Sequence, residues 1–182
     1  MPGLHNIKNA LGATSIALAY GISFDKIAAA LAKYRGVQRR FDIWKEDSHI
    51  MLVDDYAHHP TEIEATLTAA RKGWNRRILA VFQPHLYSRT RDFHREFATA
   101  LSLADIAIVT DIYPAREKPI PGVSAQLIVN SVDAAHRKSF YLSSDVKDTL
   151  ERVRELFREG DMIITLGAGD IWKLLTTIKE SL

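Results

Sequence analysis

Residues 54–62 read Asp54-Asp55-Tyr56-Ala57-His58-His59-Pro60-Thr61-Glu62, which crowds carboxylates, a phenol and two imidazoles into one short stretch. A second stretch, 82–90, carries His85, Tyr87, Ser88 and Arg89, and a third, Gly167-Ala168-Gly169-Asp170, offers backbone N–H groups. Groups of these types bind anions. Arg and His make charge-assisted hydrogen bonds of about 1.5–3 kcal/mol each, and N–H groups at a helix N-terminus favour negative charge. A phosphate or carboxylate substrate is therefore expected. The sequence carries no nucleophile elbow, paired-carboxylate signature, H-E-x-x-H pair or Walker A loop. It reads as a chain that binds and orients reactants without a catalytic engine of its own.

Each polar stretch follows an apolar run and precedes a helical pattern, so each joins a strand to a helix. Residues 49–54, 78–81 and 162–166 are the strands. Thr61, with Glu64 three residues on, forms a capping box that opens a helix over 61–72. Apolar stripes predict two more helices, over 90–101 (Phe93, Phe97, Leu101) and 145–159 (Val146, Leu150, Val153, Phe157). Residues 106–110 and 139–142 are further strands, with a short helix near 124–132 and a Pro-rich loop, 114–122, expected to be mobile. Such alternation predicts an α/β fold: a mainly parallel sheet with helices on both faces. Residues 40–46 with 49–54 predict a hairpin and one antiparallel edge strand. Ligands of parallel sheets bind beyond the carboxyl ends of the strands, which puts the three polar loops on one rim.

Two helices without a strand of their own come first. Ile7, Leu11, Thr14 and Leu18 mark one face over 6–20, with Gly21 as the stop; Ser23 can cap the next, which carries Ile27, Ala28, Leu31 and Ala32. Arg35-Gly36-Val37 breaks the pattern and is the expected boundary, so that 1–35 is the tail of a preceding domain.

Plainer readings stand beside these. His58 and His59 are adjacent, so they face opposite ways on an extended loop, and no third ligand stands at metal spacing. Asp55 could pair with Arg39 or Arg40 across the first two strands as a structural bridge. Asn6 and Asn9 could be caps of the first helix. Gly167-Ala168-Gly169 lacks the full G-x-G-x-x-G spacing and could serve only close packing. Arg91 and Asp92 read as charges on a solvated first turn, and Trp44, Trp74 and Trp172 as packing.

The chain has 182 residues, 47% hydrophobic and 25% charged, with 24 Lys+Arg against 22 Asp+Glu and no cysteine. Near-balanced charge without a basic run argues against nucleic-acid binding. Lack of cysteine excludes disulfides and thiolate metal sites. No apolar stretch approaches the roughly 18–20 residues of a membrane span, and no signal-peptide core is present, so a cytoplasmic protein is the simplest expectation.

Taken in order, Gly3-Leu4-His5-Asn6-Ile7-Lys8-Asn9-Ala10-Leu11, Gly36-Val37-Gln38-Arg39-Arg40-Phe41 and the segments 54–62, 82–90 and 167–171 resemble the C-terminal third of the Mur ligases of bacterial peptidoglycan synthesis. H-H-P-T-E and F-Q-P-H-x-Y-S-R-T are similar to the members that join L-alanine to UDP-N-acetylmuramate. The resemblance implies a Rossmann-like C-terminal domain over 36–182, preceded over 1–35 by the last helices of a central ATPase domain. It also implies an ATP- and Mg2+-dependent ligation, in which the muramoyl carboxylate is activated as an acyl phosphate and the amine of L-alanine attacks it. Carried over by position, His5, Asn6 and Asn9 resemble residues that contact the adenine, and Arg40 and Asp55 those that reach the ribose and terminal phosphate. Tyr56, His58, His59, His85 and Arg89 resemble the elements that hold L-alanine and the muramoyl group. Leu86 stands where many members have Arg, which shifts anion binding toward Arg89 or Arg91. The family's P-loop and UDP-sugar domain have no counterpart here, so the chain alone is expected not to ligate. Competing readings are the recycling ligase that adds a tripeptide to the same muramate, a non-catalytic dinucleotide-binding module, and a metal hydrolase centred on His58, His59 and His85.

Overall fold

Runs of Val, Ile, Leu and Met without polar alternation suit strands covered on both faces, and four such runs form the centre of the molecule. In the computed structural model, which describes residues 3–34 and 36–181 (Leu4 and His5 through their backbone alone), every residue of β2 (Met51–Asp55), β3 (Ile78–Phe82), β4 (Ile106–Val109) and β6 (Met162–Leu166) is buried. With β1 (Asp42–Glu46) and β5 (Phe140–Leu142) they make a six-stranded sheet in the order β1-β2-β6-β3-β4-β5. Only β1 runs antiparallel, at the edge, as the hairpin pattern predicts.

Alternate residues of the buried strands point to opposite layers. Met51, Val53, Ala80, Phe82, Ile164 and Leu166 pack beneath α3 (Pro60–Gly73), α4 (Tyr87–Leu101) and α5 (Gln126–Asn130). Leu52, Leu79, Val81, Ile108 and Ile163 pack beneath α6 (Val146–Leu156) and α7 (Lys173–Ser181). The expected α/β architecture is the one found. Because β6 lies between β2 and β3, the loops that leave these three strands are neighbours at the carboxyl end of the sheet. The polar segments 54–62, 82–90 and 167–170 are those loops.

Several boundaries shift for identifiable reasons. The α3 cap is not Thr61 with Glu64. Pro60 occupies the first turn, where its missing N–H costs nothing, so His59 becomes the N-cap and Glu62 the third helical residue; the His59 ring accepts from Thr61 and the Glu62 carboxylate from the N–H groups of His58 and His59. Helix α4 starts at Tyr87 rather than 90 and kinks at Phe93 (φ −122°, ψ 16°). Helix α5 is shorter than the 124–132 pattern and α6 than 145–159.

Upstream, α1 (Leu4–Ala19) and α2 (Phe24–Lys33) pair with each other. Gly21 at φ 75° ends α1, with its N–H on Leu18 O and that of Ile22 on Ala17 O, the two bonds of a Schellman stop. Ser23 stands at the α2 N-cap without a side-chain cap bond. Asn6 and Asn9 are not caps: the N-cap is Gly3 and both lie inside α1. The expected apolar stripe of α1 is not covered by this chain, since Ile7, Leu11 and Leu18 are all exposed.

Candidate substrate-binding site

Two left-handed residues, Arg39 (φ 61°) and Phe41 (φ 48°), turn the chain sharply as it enters β1. That turn sends consecutive arginines to different partners. Arg39 Nε donates to Asp54 at 2.9 Å and Arg39 Nη2 to the carbonyl of Gly167 at 2.7 Å, clamping the β1 entry, the β2 end and the glycine loop together. Asp54 is fully buried and also accepts from the Thr165 hydroxyl at 2.7 Å. Burial pushes its pKa up, and Thr165 and Arg39 oppose that. Asp55 is not the structural bridge that its plainer reading allowed, since Arg39 pairs with Asp54 and Arg40 with Glu62. The Asp55 carboxylate accepts from the N–H groups of Phe41 (2.9 Å) and Ala57 (2.8 Å), so it pins the loop itself; burial raises its pKa against those bonds.

Arg40 points elsewhere, 3.6 Å from Glu62 at the start of α3. There it borders a cavity of about 1180 Å³ between α1, α2 and α3. The same cavity is lined by Asn6, Asn9 and Asp55 on the polar side, and by Ala13, Ile27 and Leu31 among its apolar walls. The structure thus brings together four of the five residues expected to contact nucleotide. The side chain of His5, the fifth, lies outside the described residues.

A second cluster spans the loops after β2 and β3. Tyr56 lies under the Arg39 guanidinium, 4.9 Å from ring centroid, and meets the His58 ring edge-on at 5.2 Å. His58 in turn meets His85 at 5.8 Å, and His85 stacks on Tyr113 at 5.8 Å. Arg89, in the first turn of α4, reaches His85 Nδ1 at 3.5 Å. Burial pushes the His85 pKa below its ordinary value, and the charges of Arg89 and His58 add to that. His59 is not part of this row: it caps α3 and packs its ring on Phe93 at 5.1 Å. Among the described residues no group of three or more His, Cys, Asp or Glu side chains is placed to hold a metal ion, and no helix is long and apolar enough to cross a membrane.

Glycine at 169 is required by close approach rather than by dihedral angle. A Cβ there would lie 2.7 Å from Tyr113 Cγ and closer still to Gln83 Oε1. The β6 loop is therefore pressed against the β3 loop. Gln83 supports this contact by donating to Asp170 at 3.2 Å. Tyr113, Gln83 and the Asp54–Arg39 pair were not legible as site residues. Tyr113 lies just past β4 in a stretch without periodicity, and only the parallel crossover brings it beside His85. A tyrosine directly before a Pro-rich loop was the one available signal.

Arranged this way, the rim presents cationic and imidazole groups beside an apolar cavity edged by amides, an arrangement that can hold an anionic group next to a flat heterocycle. Residues 39–169 match the family described as Mur ligase, glutamate ligase domain. The chain is 46% identical over 180 residues to the UDP-N-acetylmuramate--L-alanine ligase of Syntrophotalea carbinolica, across 99% of this chain and 39% of that protein. The chain belongs to the Mur ligase family. Its likeness to the UDP-N-acetylmuramate--L-alanine ligase of Trichlorobacter lovleyi is 47% over 174 residues, across 95% of this chain and 38% of that one. Among solved Mur ligase structures, the UDP-N-acetylmuramate-alanine ligase of Thermotoga maritima superposes with TM-score 0.82 at 29% identity, over 100% of this chain and 39% of the other. A murein peptide ligase from Psychrobacter arcticus does so with TM-score 0.71 at 27% identity, over 100% and 37%. This Mur ligase chain therefore spans 38–39% of the length of the two curated relatives named above.

Proposed function

We propose that the chain is the C-terminal part of an ATP-dependent ligase that joins L-alanine to UDP-N-acetylmuramate in the cytoplasm, and that residues 1–35 belong to its central ATPase domain. The observation that carries this reading is the convergence of Tyr56, His58, His85 and Arg89 on one rim, in a chain 46–47% identical to ligases of that name. The recycling reading is less favoured, since at similar identity (27% against 29%) the murein peptide ligase superposes less closely, with TM-score 0.71 against 0.82 for the UDP-N-acetylmuramate-alanine ligase.

In this reading Arg89 holds the carboxylate of the amino acid. His85, kept neutral by burial and by the adjacent Arg89 and His58 charges, can accept a proton from the ammonium so that the amine is free to attack. Tyr56 and His58 close one side of the site and limit the space for the methyl group of alanine. Such placement alone can lower a barrier by about 7–11 kcal/mol in favourable cases. The cavity beside Arg40 fits the purine of ATP: its walls are apolar, Asn6 and Asn9 can pair with ring nitrogens, and Arg40 stands toward the phosphate side. ATP would supply the activation of the carboxylate, and the rest of the longer protein its phosphate-binding loop. The Mg2+ that such ligases require finds no ligand set among the described residues, so no residue of this chain is assigned to it.

A direct test is transfer of labelled L-alanine to UDP-N-acetylmuramate. We predict transfer by the longer protein that contains this chain, and none by the 182-residue chain alone. Substrate-dependent phosphate release by the chain alone, or a longer protein that prefers the tripeptide over L-alanine, would contradict the reading.

A further inference from the structure

Helix α4 bears Arg89 in its first turn, yet it has no cap of its own. Its N-cap, Leu86, carries no side-chain acceptor and sits at φ 75°. The N–H of Ser88 donates instead to Glu117 at 3.0 Å, the Ser88 hydroxyl donates to the same carboxylate at 2.5 Å, and the Tyr87 N–H adds to them. Glu117 lies 29 residues away in sequence from Ser88, in the loop between β4 and α5. That loop is fastened to the site at its start: Tyr113 N–H donates to Pro84 O at 2.8 Å, and Leu86 N–H to Tyr113 O at 3.0 Å. The Glu117 N–H closes a turn on Pro114 O at 2.9 Å, with Ala115 held left-handed at φ 51°. An alanine adopts that conformation only where its surroundings impose it.

A helix N-terminus is where a negative group settles most readily. Here a carboxylate of the chain itself fills the position. An incoming carboxylate must then use Arg89, and the turn that carries Arg89 is fixed from outside the helix. We propose that Glu117 is a positioning residue for the amino acid: by capping α4 across the chain, it sets the turn that bears Arg89 and reserves Arg89 for the substrate carboxylate. This rests on the ligase reading above.

The electrostatic surroundings agree with the geometry. The Ser88 hydroxyl and N–H hold the Glu117 carboxyl below its ordinary range, so it is charged at neutral pH. The His85 ring faces Arg89 from α4, His58 from the loop after β2, Glu117 from the loop after β4, and the stacked Tyr113. Of the charged groups, Glu117 alone pushes the His85 pKa upward.

In the longer protein, Glu117→Ala is expected to raise the KM for L-alanine by about tenfold or more, while kcat and the KM for ATP change by less than about threefold. Glu117→Gln, which keeps an acceptor for Ser88, is expected to recover part of that loss. In the 182-residue chain itself, NMR titration of the His85 ring is expected to move to lower pH in Glu117→Gln, because a charge that favours the imidazolium is gone. An unchanged KM for L-alanine in a folded Glu117→Ala protein overturns the proposal. So does an equal rise in KM for all three substrates, which is the result of a merely structural role, or a His85 titration that does not move. Absence of any L-alanine transfer by the unaltered longer protein overturns the ligase reading and the amino-acid claim with it, whereas activity that Glu117→Ala leaves untouched overturns the positioning claim alone.

Discussion

A buried carboxylate must find hydrogen-bond donors or stay protonated, and Asp54 and Asp55 solve that problem differently. Asp54 leans on the Arg39 guanidinium and the Thr165 hydroxyl, Asp55 on two backbone N–H groups. Removing Arg39 takes from Asp54 the cation that pairs with it. Because Arg39 is itself 25% exposed, we expect Arg39→Ala to cost about 2 kcal/mol, below the roughly 3–5 kcal/mol typical of a fully buried pair. Urea denaturation checks this, and Arg39→Ala with Asp54→Asn is expected to be more stable than Arg39→Ala alone. The sequence placed these residues at the right strand end but could not say which carboxylate meets which arginine. That choice depends on the left-handed Arg39 and Phe41 and on the register shift between Ile43 and Lys45, features of backbone shape that residue types do not encode one by one. By contrast the convergence of His58 and His85 was legible, because each lies three residues past a strand end and a strand end fixes position closely; Arg89 joins them from the first turn of α4.

The capping box of α3 and the glycine loop after β6 are built from different physics. At α3, burial raises the Glu62 pKa, but the His58 N–H, the His58 ring, the His59 N–H and Arg40 outweigh it, and the net shift is downward from 4.5. A carboxyl whose folded pKa is depressed contributes stability that is present above its unfolded value and lost as pH falls through the folded one. Glu62→Gln is therefore expected to lower Tm by about 2–4 °C near pH 6, for a cap of about 1 kcal/mol. The difference from the unaltered chain should close as pH drops below about 4. A gap that persists at pH 3 in thermal scans would contradict a charged cap. At the β6 loop, Gly169→Ala has no room beside Gln83 and Tyr113; the forced shift is expected to cost about 1–3 kcal/mol in urea denaturation. The helices and strands themselves were largely readable from periodicity, down to the antiparallel edge. The α3 cap was misread because Pro60 at the first helical position pulls the start forward onto His59, a residue type outside the usual caps. The Pro-rich loop offered no period at all, and its grip on α4 through Glu117 is a tertiary fact.

For the molecule as a whole, the sheet and the N-terminal helix differ in how completely they are covered. The sheet is covered on both faces, whereas Ile7, Leu11 and Leu18, which share one face of α1, are 59%, 61% and 47% exposed. In the proposed assignment this stripe packs on the rest of the central domain, and the cavity between α1, α2 and α3 becomes the cleft between two domains. Closure of that cleft would bring the Arg89 rim to the activated carboxylate. The central claim is that this rim holds the amino acid. Steady-state kinetics of the longer protein carrying Arg89→Ala, with L-alanine and ATP varied separately, tests it most directly. The predicted result is a fall in kcat/KM for L-alanine of about 10- to 150-fold, the loss of one charge-assisted contact, with the KM for ATP unchanged; an unaltered kcat/KM for L-alanine would contradict it.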